Sequence, residues 1–490
     1  MDPQSNTKPS PSLQSLQSLP DELLQPIFET LCPHCYATRD YQHSRAREHG
    51  LESLTLTSKR LRSIALPIML HVPANHMSDE GLHKLLDLDP SLGDYIREWE
   101  LPYREGDNEV LDRAMETTRK LLATVGQDFD LTQAENDGLS LEHSLTAELF
   151  MARAPKIEKL SLERFDYNDW PDADLKYLAG RLGKLGDGTG FENVRHLTVT
   201  RPCRTSTSLT DAHIMALLGV MPKLEILNLD SIIGFPEYDR FDINPIKPAL
   251  HNLTTLRLEW CTFDGTSPNS DYGALCEMLN HAPNLKSFFF SANGSSGAPG
   301  FVEHDLSTKD FLLALQPVAK HLKHLELDFS DTWYERGEVT GSMLAKFTAL
   351  GSFHVSLDGI CQCDRDTTVC IADIIPPTIK HINFILQKGD TTGCSRCIVS
   401  IGREAVEGGL QNLETVKIVY TGWRPQSLDE PYDGPRYDHV VQSLQDWHQA
   451  FQGARASLRF KSRIYEWLRY HNKNELAWME GKVERDEDGW

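Results

Sequence analysis

Two groups of cysteines in this chain have the residue types of a metal site, and the first lies near the N-terminus. Cys32 and Cys35 are separated by two residues, and His43 and His49 follow them. Thiolate and imidazole groups are ligands that zinc prefers in proteins. The spacing matches no standard zinc finger, so a polar loop with incidental thiols is the alternative interpretation.

The second group follows two predicted strands that are neighbours in a repeated pattern. Cys361 and Cys363 come after one strand, and Cys394 and Cys397 come after the next, with Cys370 as a possible spare ligand. Because neighbouring repeats stack in register, both pairs would emerge at one edge, where four thiolates would suit structural zinc. Free thiols in long loops are the alternative, and the main prediction includes no cofactor.

Catalytic motifs are not found in the sequence. It contains no G-x-x-x-x-G-K-[ST], H-E-x-x-H or G-x-S-x-G segment. The glycine-rich stretch 293–300 lacks the Lys and Ser or Thr of a phosphate-binding loop, so a flexible connection is predicted there. We therefore expect a binding protein rather than an enzyme. An enzyme with a zinc centre in the second cysteine group is an alternative.

Composition narrows the class of partner. The 490 residues include 40% hydrophobic and 24% charged residues, the balance of a soluble folded protein, and their net charge is −22. Such a charge argues against nucleic-acid binding, which needs clustered Lys and Arg. No apolar stretch approaches the ~20 residues that span a bilayer. With no signal peptide and few cysteines, a cytoplasmic or nuclear protein with protein partners is predicted.

A six-residue pattern, apolar-x-x-apolar-x-apolar, recurs about every thirty residues along most of the chain. Its last three positions predict a short strand with both apolar side chains on one face. Helix-like segments lie between the strands, and Pro155, Pro222 and Pro283 stop three of them. The first apolar residues of the segments are Ile96, Ile157, Val194, Leu224, Leu253, Leu285, Leu322, Leu350, Ile379 and Leu413.

This strand–helix repeat resembles the leucine-rich-repeat family in its long, irregular form. The resemblance implies an α/β solenoid over residues 73–430, with a parallel sheet inside and helices outside. The side chains next to the buried pair in each strand would then form a concave face rich in acidic residues, suited to a target with a basic segment. The predicted target-binding residues are Arg257, Glu259, Phe289, Glu326, Asp328, His354, Asn383 and Lys417.

Two short amphipathic helices are predicted near the N-terminus, at residues 19–31 and 51–66. The first begins at Pro20 and contains Pro26, so a kink is expected there. The order Leu-Pro, Glu-Leu-Leu, Ile-Phe and then a leucine-rich stretch ending in Ser58-Lys59-Arg60 resembles the F-box. Residues 32–50 lengthen its usual connection. The adaptor contacts that the resemblance implies are Leu19, Pro20, Leu23, Leu24, Ile27, Phe28, Leu31 and Leu54.

Together the two resemblances point to the F-box/leucine-rich-repeat proteins that are numerous in filamentous fungi. They imply a substrate-recognition subunit of an SCF-type ubiquitin ligase, which binds the Skp adaptor and through it a cullin, and whose solenoid holds an unidentified protein target. The alternative is a scaffold whose N-terminal helices only cap the solenoid. The predicted parts are a disordered tail 1–12, an F-box-like segment 13–72, the solenoid 73–430, a helical cap 431–480 and an acidic tail 481–490.

Overall fold

The structure is a computed structural model in which the chain divides into two compact units. Unit 1 comprises residues 1–163 and 169–195, and unit 2 comprises residues 164–168 and 196–490. The predicted tails 1–12 and 481–490 lie outside the described residues, as does the predicted helix before Ile157. The described residues are 16–35, 41–73, 76, 79–101, 154–163, 191–200, 212–230, 242–261, 271–292, 306–329, 334–335, 339, 341–357, 360, 370–386, 391–420 and 434–461.

Unit 1 begins with a helical segment. A 3-10 turn at Leu16–Ser18 precedes helices α1 (Asp21–Glu29), α2 (Tyr41–Thr57), α3 (Lys59–Met69) and α4 (Asp79–Leu88), and a 3-10 helix follows at Pro90–Tyr95. Asp21 and Glu22 lie in the first turn of α1, where the helix dipole favours acidic side chains. Helix α1 continues through Pro26 to Glu29.

The single helix predicted over 51–66 is in fact parts of two helices. The backbone of Ser58 is extended, and its hydroxyl accepts a hydrogen bond from the amide of Leu61 at 3.2 Å, so Ser58 caps α3. Helix α2 reaches back to Tyr41, so part of the predicted connection 32–50 is helical. The break was missed because the apolar pattern runs on through Ser58.

The helical segment has a small core of its own. Apolar side chains from α1, the turn after it, α2 and α3 pack together, and Leu19, Leu31, Leu54 and Ile64 pack partly against them. Side chains four positions apart, such as Leu24 and Phe28, lie on one face of a helix, so each helix contributes one stripe. The buried core residues are Leu24, Phe28, Cys32, Leu51, Leu61, Ala65 and Ile68.

Two parallel strands complete unit 1. Strands β1 (Glu98–Leu101) and β2 (Lys159–Glu163) pair with Trp99 opposite Leu160. The carbonyl of His71, just after α3, accepts hydrogen bonds from the amides of Arg97 at 3.1 Å and Glu98 at 2.8 Å. The helical segment is therefore joined to the first strand by backbone hydrogen bonds.

Unit 2 contains a parallel sheet. Its strands are β3 (His196–Thr200), β4 (Ile226–Asp230), β5 (Thr255–Cys261), β6 (Ser287–Ala292), β8 (His324–Asp328), β10 (Ser352–Ser356), β11 (His381–Leu386), β12 (Thr415–Tyr420) and β13 (Ser457–Lys461), hydrogen-bonded in that order. Strands β7 (Leu306–Ser307) and β9 (Tyr334–Glu335) form a separate parallel pair. Every strand predicted from the hexamers is present.

Helices precede most of these strands. They are α5 (Ala212–Gly219), α6 (Lys247–Asn252), α7 (Asp271–Asn280), α8 (Thr308–Ala314), α9 (Gly341–Leu344), α10 (Ile371–Ile374), α11 (Thr391–Glu407) and α12 (Gly434–Ala450), with 3-10 helices at Phe191–Asn193 in unit 1 and at Asn244–Ile246 and Gln316–Val318 in unit 2. Helices α5 and α7 end before Pro222 and Pro283, as predicted. The α/β architecture with parallel strands and intervening helices is confirmed.

The core of unit 2 is formed by alternate side chains of each strand. In β3, β4 and β6 buried and partly exposed residues alternate strictly, as expected for strands with one face against a core. Phe311 of α8 packs against aromatic rings of both layers, with its centroid 4.3 Å from that of Phe290 in β6 and 4.9 Å from that of Tyr272 in α7. The tight packing of helix rings against strand rings fixes the spacing of the two layers.

A repeated asparagine contact joins successive repeats. The side-chain amides of Asn252, Asn284 and Asn412, each just before the first apolar residue of a hexamer, donate to the carbonyls of Pro222, His251 and Pro377 at 2.7–2.9 Å. In unit 1, Asn193 makes the same bond to the carbonyl of Pro155. These bonds satisfy carbonyl groups at the turns that helical or strand pairing leaves open.

The C-terminal region differs from the prediction. A helical cap was predicted over residues 431–480, and α12 lies within it, but α12 ends at Ala450 and Ser457–Lys461 form strand β13, which pairs with β12. Leu458 lies opposite Val416, the second apolar residue of its hexamer. The first apolar position of the corresponding hexamer in β13 is then Arg455, and this charged residue explains why the pattern was not recognised. Among the described residues, no helix is long and apolar enough to cross a membrane.

Candidate functional site

Helix α1 has one buried and one exposed apolar side. Leu24 and Phe28 are 0% and 1% exposed and belong to the core of the helical segment, whereas Leu23 and Ile27 are 54% and 41% exposed. Leu23 and Ile27 lie four residues apart, so they share one face of the helix. Of the adaptor contacts predicted on α1, the buried pair is structural, and the exposed pair forms an apolar surface that a partner could cover.

Arg60 of α3 fixes the chain that leads into α1. Its guanidinium donates to Asp21 Oδ1 from Nε at 2.9 Å and from Nη2 at 2.6 Å. It also donates to the carbonyls of Gln17 and Leu19 at 2.6 Å each. A planar guanidinium can make all of these bonds at once, which the single ammonium of lysine could not. Arg60 therefore holds the start of α1, next to the exposed face that carries Leu23.

A row of side chains crosses the sheet of unit 2 on the face opposite the core. One residue from the middle of each strand lies directly opposite its counterpart in the next. Six of the predicted target-binding residues belong to this register row, and Glu259 and Asp328 lie two positions further along their strands. The register row consists of Thr198, Asn228, Arg257, Phe289, Glu326, His354, Asn383, Lys417 and Arg459.

Neighbours in the register row contact each other. The guanidinium carbon of Arg257 lies 3.8 Å from the ring centroid of Phe289, and its Nη1 lies 3.2 Å from Glu259 Oε1. Cation–π stacking on one side and a carboxylate on the other fix the orientation of Arg257. The row itself is not acidic, because Arg257, Lys417 and Arg459 are basic. Of the acidic residues predicted on this face of unit 2, Glu326 belongs to the row, and Glu259 and Asp328 lie beside it.

The next pair in the row is Glu326 and His354. Glu326 Oε2 lies 3.2 Å from His354 Nδ1. Burial raises the pKa of Glu326, but the hydrogen bond with His354 and the charges of His354 and Arg257 lower it by more, so the net shift is downward. His354 Nε2 and Asn228 Oδ1 are buried without a hydrogen-bond partner among the described residues. Such atoms are costly unless a water or a bound partner satisfies them.

Trp260 is an exposed aromatic residue of β5 that the sequence did not indicate. Strict alternation along β5 would place Trp260 in the core, but the register with β6 shifts between Leu258 and Cys261. Cys261 is buried instead, and Trp260 is 49% exposed with φ of 55°, the left-handed region. That conformation costs roughly 1–2 kcal/mol for a residue with a Cβ. An irregularity that turns a tryptophan outward, on the strand that also carries Arg257, is typical of a binding surface.

No known protein-family model matches the chain, and no curated protein is found to match it. A function for the chain therefore has to be inferred from the exposed face of α1, the register row, Trp260, and the resemblance of the sequence to the F-box and to leucine-rich repeats.

The N-terminal cysteines meet a different histidine from those predicted. His71 Nδ1 lies 3.2 Å from Cys35 Sγ and 3.7 Å from Cys32 Sγ. His49 is exposed and contacts Glu52, and the side chain of His43 is outside the described residues. Burial raises the pKa of both thiols, that of Cys35 to about 12, and lowers the pKa of His71 to about 4. His71 was missed because its contact with Cys35 joins residues far apart in sequence.

The second cysteine group is only partly described. Cys361, Cys363 and the side chain of Cys394 lie outside the described residues, so the four-thiolate site stays a prediction. Cys397 is buried, and its Sγ lies 3.7 Å from that of Cys370. The contact with Cys397 lowers the pKa of the Cys370 thiol below its usual range, and burial opposes this shift. The residue treated as a spare is therefore the one that meets Cys397.

Proposed function

We propose that the chain is the substrate-recognition subunit of an SCF-type ubiquitin ligase. The F-box-like segment 13–72 binds the Skp adaptor, and the sheet of unit 2 binds a protein target. The observation that carries the proposal is the exposed apolar pair Leu23 and Ile27 on α1, within the stretch whose sequence resembles the F-box.

The environment of this pair supports a docking role. Leu24 and Phe28 belong to the core of the segment, whereas Leu23 and Ile27 lie outside it and remain about half exposed. Covering a large aliphatic side chain yields about 1.5–3 kcal/mol, reduced here because each is already partly covered. Arg60 holds the preceding residues in place, so little order has to be gained when a partner binds.

The register row supports a target-binding role for unit 2. Strand β5 carries an exposed tryptophan, Trp260, and an arginine, Arg257, that stacks on Phe289 of β6. Tryptophan and arginine are among the residue types that dominate the binding energy of protein interfaces. The charged residues in and beside the row would orient a target rather than provide most of the affinity. The chain would contribute to ubiquitin transfer by proximity, because it would hold target lysines near the enzyme that carries the ubiquitin.

The test is co-purification of the full chain with the Skp adaptor. Leu23→Asp with Ile27→Asp should abolish binding, because the complex would bury two unpaired charges. The matched control is Leu313→Asp with Val406→Asp in unit 2, which adds the same charge at apolar positions that are similarly exposed, 41% and 47%. All three proteins should unfold at similar temperatures.

Two outcomes would refute the proposal. If the native chain is folded but does not retain the adaptor, the helical segment is not an adaptor-binding element and the scaffold alternative replaces the ligase role. If the native chain and both double variants bind equally, the exposed face of α1 is not the interface.

A further inference from the structure

Three potential metal ligands of unit 1 converge at the end of α1. The sulfur atoms of Cys32 and Cys35 and a ring nitrogen of His71 all lie within 4.8 Å of one another. A sulfur and a nitrogen bound to one tetrahedral zinc ion are about 3.6 Å apart, given the usual zinc–ligand lengths. The distances from His71 Nδ1 to the two sulfur atoms, 3.2 Å and 3.7 Å, are close to that value.

Local structure accounts for this convergence. Helix α1 ends at Glu29, and the turn after it carries both cysteines, with Cys32 in the core of the helical segment. Helix α3 ends at Met69, and the following turn places His71 against them. The backbone of His71 is held by its bonds to Arg97 and Glu98, so its ring is presented by a fixed part of the chain.

The chemistry of the donors selects the ion. Two thiolates and an imidazole favour zinc over magnesium or calcium, which prefer oxygen ligands. His34, between the cysteines, adds a further donor: its Nδ1 lies 3.8 Å from Cys35 Sγ, and its ring centroid lies 5.5 Å from that of His71. Structural zinc sites have four protein ligands, and a rotation of His34 would provide the fourth.

We propose that Cys32, Cys35 and His71, with His34 as the fourth ligand, bind a structural zinc ion that joins the end of α1 to the end of α3. The helical segment has only a small core, and segments of this size commonly need a metal or a disulfide for stability. Zinc would also connect α1 to β1, because His71 accepts backbone bonds from Arg97 and Glu98.

The experiment measures the metal directly in the full chain. The protein is produced with added zinc sulfate, purified in reducing buffer, desalted, and analysed by mass spectrometry for zinc per chain. About one zinc ion per chain is expected for the native protein. Cys35→Ser and His71→Asn should lose it, and His34→Asn should lose it to a chelator faster than the native protein does. The controls His49→Asn and Cys276→Ser should retain it.

A second measurement does not depend on the folding of any variant. The native protein, with its zinc replaced by Co²⁺, should show the near-ultraviolet band of thiolate-to-cobalt charge transfer and the strong visible absorption of tetrahedral cobalt. A native protein that takes up neither zinc nor cobalt overturns the proposal, as does full zinc retention by Cys35→Ser and His71→Asn. If His34→Asn loses zinc no faster than the native protein, His34 is not a ligand. Adaptor binding does not enter these measurements, so they stand or fall independently of the ligase role.

Discussion

Arg60 offers the sharpest test of how the helical segment is held together. Its guanidinium donates to Asp21 and to the carbonyls of Gln17 and Leu19, and so ties α3 to the chain before α1. Arg60→Ala removes all of these bonds. Arg60→Lys keeps the charge but cannot bridge the same acceptors.

The magnitude follows from exposure. Hydrogen bonds to charged groups contribute about 1.5–3 kcal/mol each when protected from solvent. Here the side chain of Arg60 is 42% exposed and that of Asp21 is 61% exposed, so solvent screening reduces the total to about 1–2 kcal/mol. If adaptor binding requires residues 17–21 in their present position, that loss corresponds to roughly a fivefold to thirtyfold weaker affinity.

The assay combines adaptor titration with hydrogen exchange. Arg60→Ala should weaken binding within that range, and the amides of Leu23 and Leu24, which donate to the carbonyl of Pro20, should exchange faster. Arg62→Ala is the matched control, because Arg62 lies two residues further along α3 and its Nε donates to the carbonyl of Thr55, away from the start of α1.

An Arg60→Ala protein that matches Arg62→Ala in both adaptor affinity and exchange would refute this account of how α1 is positioned. An Arg60→Lys protein with native affinity would show that charge alone, and not the bridging geometry, is sufficient.

Two further predictions concern unit 2. A Cβ on Gly402 of α11 would lie 2.8 Å from Phe451 Cδ2. Gly402→Ala should therefore lower the free energy of unfolding, measured by urea titration, by about 1–2 kcal/mol, although alanine has the better helix propensity. The control Gly351→Ala, whose Cβ would have its nearest contact at 3.8 Å, should lower it by less. The pKa of Glu326 is lowered in the folded protein, so its pairing with His354 stabilises the fold at pH values above the unfolded pKa of about 4.3. This stabilisation is lost as the pH falls further. The difference in urea midpoint between the native protein and Glu326→Gln should therefore shrink from about pH 6 to about pH 3. A constant difference would contradict this.

The strands were predictable because their signal is local and repeated. Pairs such as Leu256 and Leu258 or Phe288 and Phe290 are buried on one face, and their spacing alone reveals it. The same rule failed at β13, where Arg455 occupies the first position, and at Ser58, whose capping bond ends one helix and begins another within a continuous apolar pattern.

The sites were less predictable because they depend on contacts between distant residues or on breaks in regularity. Neither the meeting of Cys35 and His71 nor that of Cys370 and Cys397 follows from local spacing. Trp260 is exposed only because the register shifts beside it, an exception to the alternation that the prediction used. The register row itself was anticipated, since it follows directly from in-register stacking of repeats.

The asparagine contacts have a consequence for how such a chain can change over time. Asn252, Asn284 and Asn412 anchor the turn that enters a strand to the repeat before it, so the register is set at the entry side. The segments that leave the strands differ in length from repeat to repeat, while the strand pairing stays in step. Insertions and deletions after a strand can therefore accumulate without moving the register row. A segment from another repeat could also be grafted there. In these repeats, the entry end of the strand preserves the architecture, and the exit end is free to diversify.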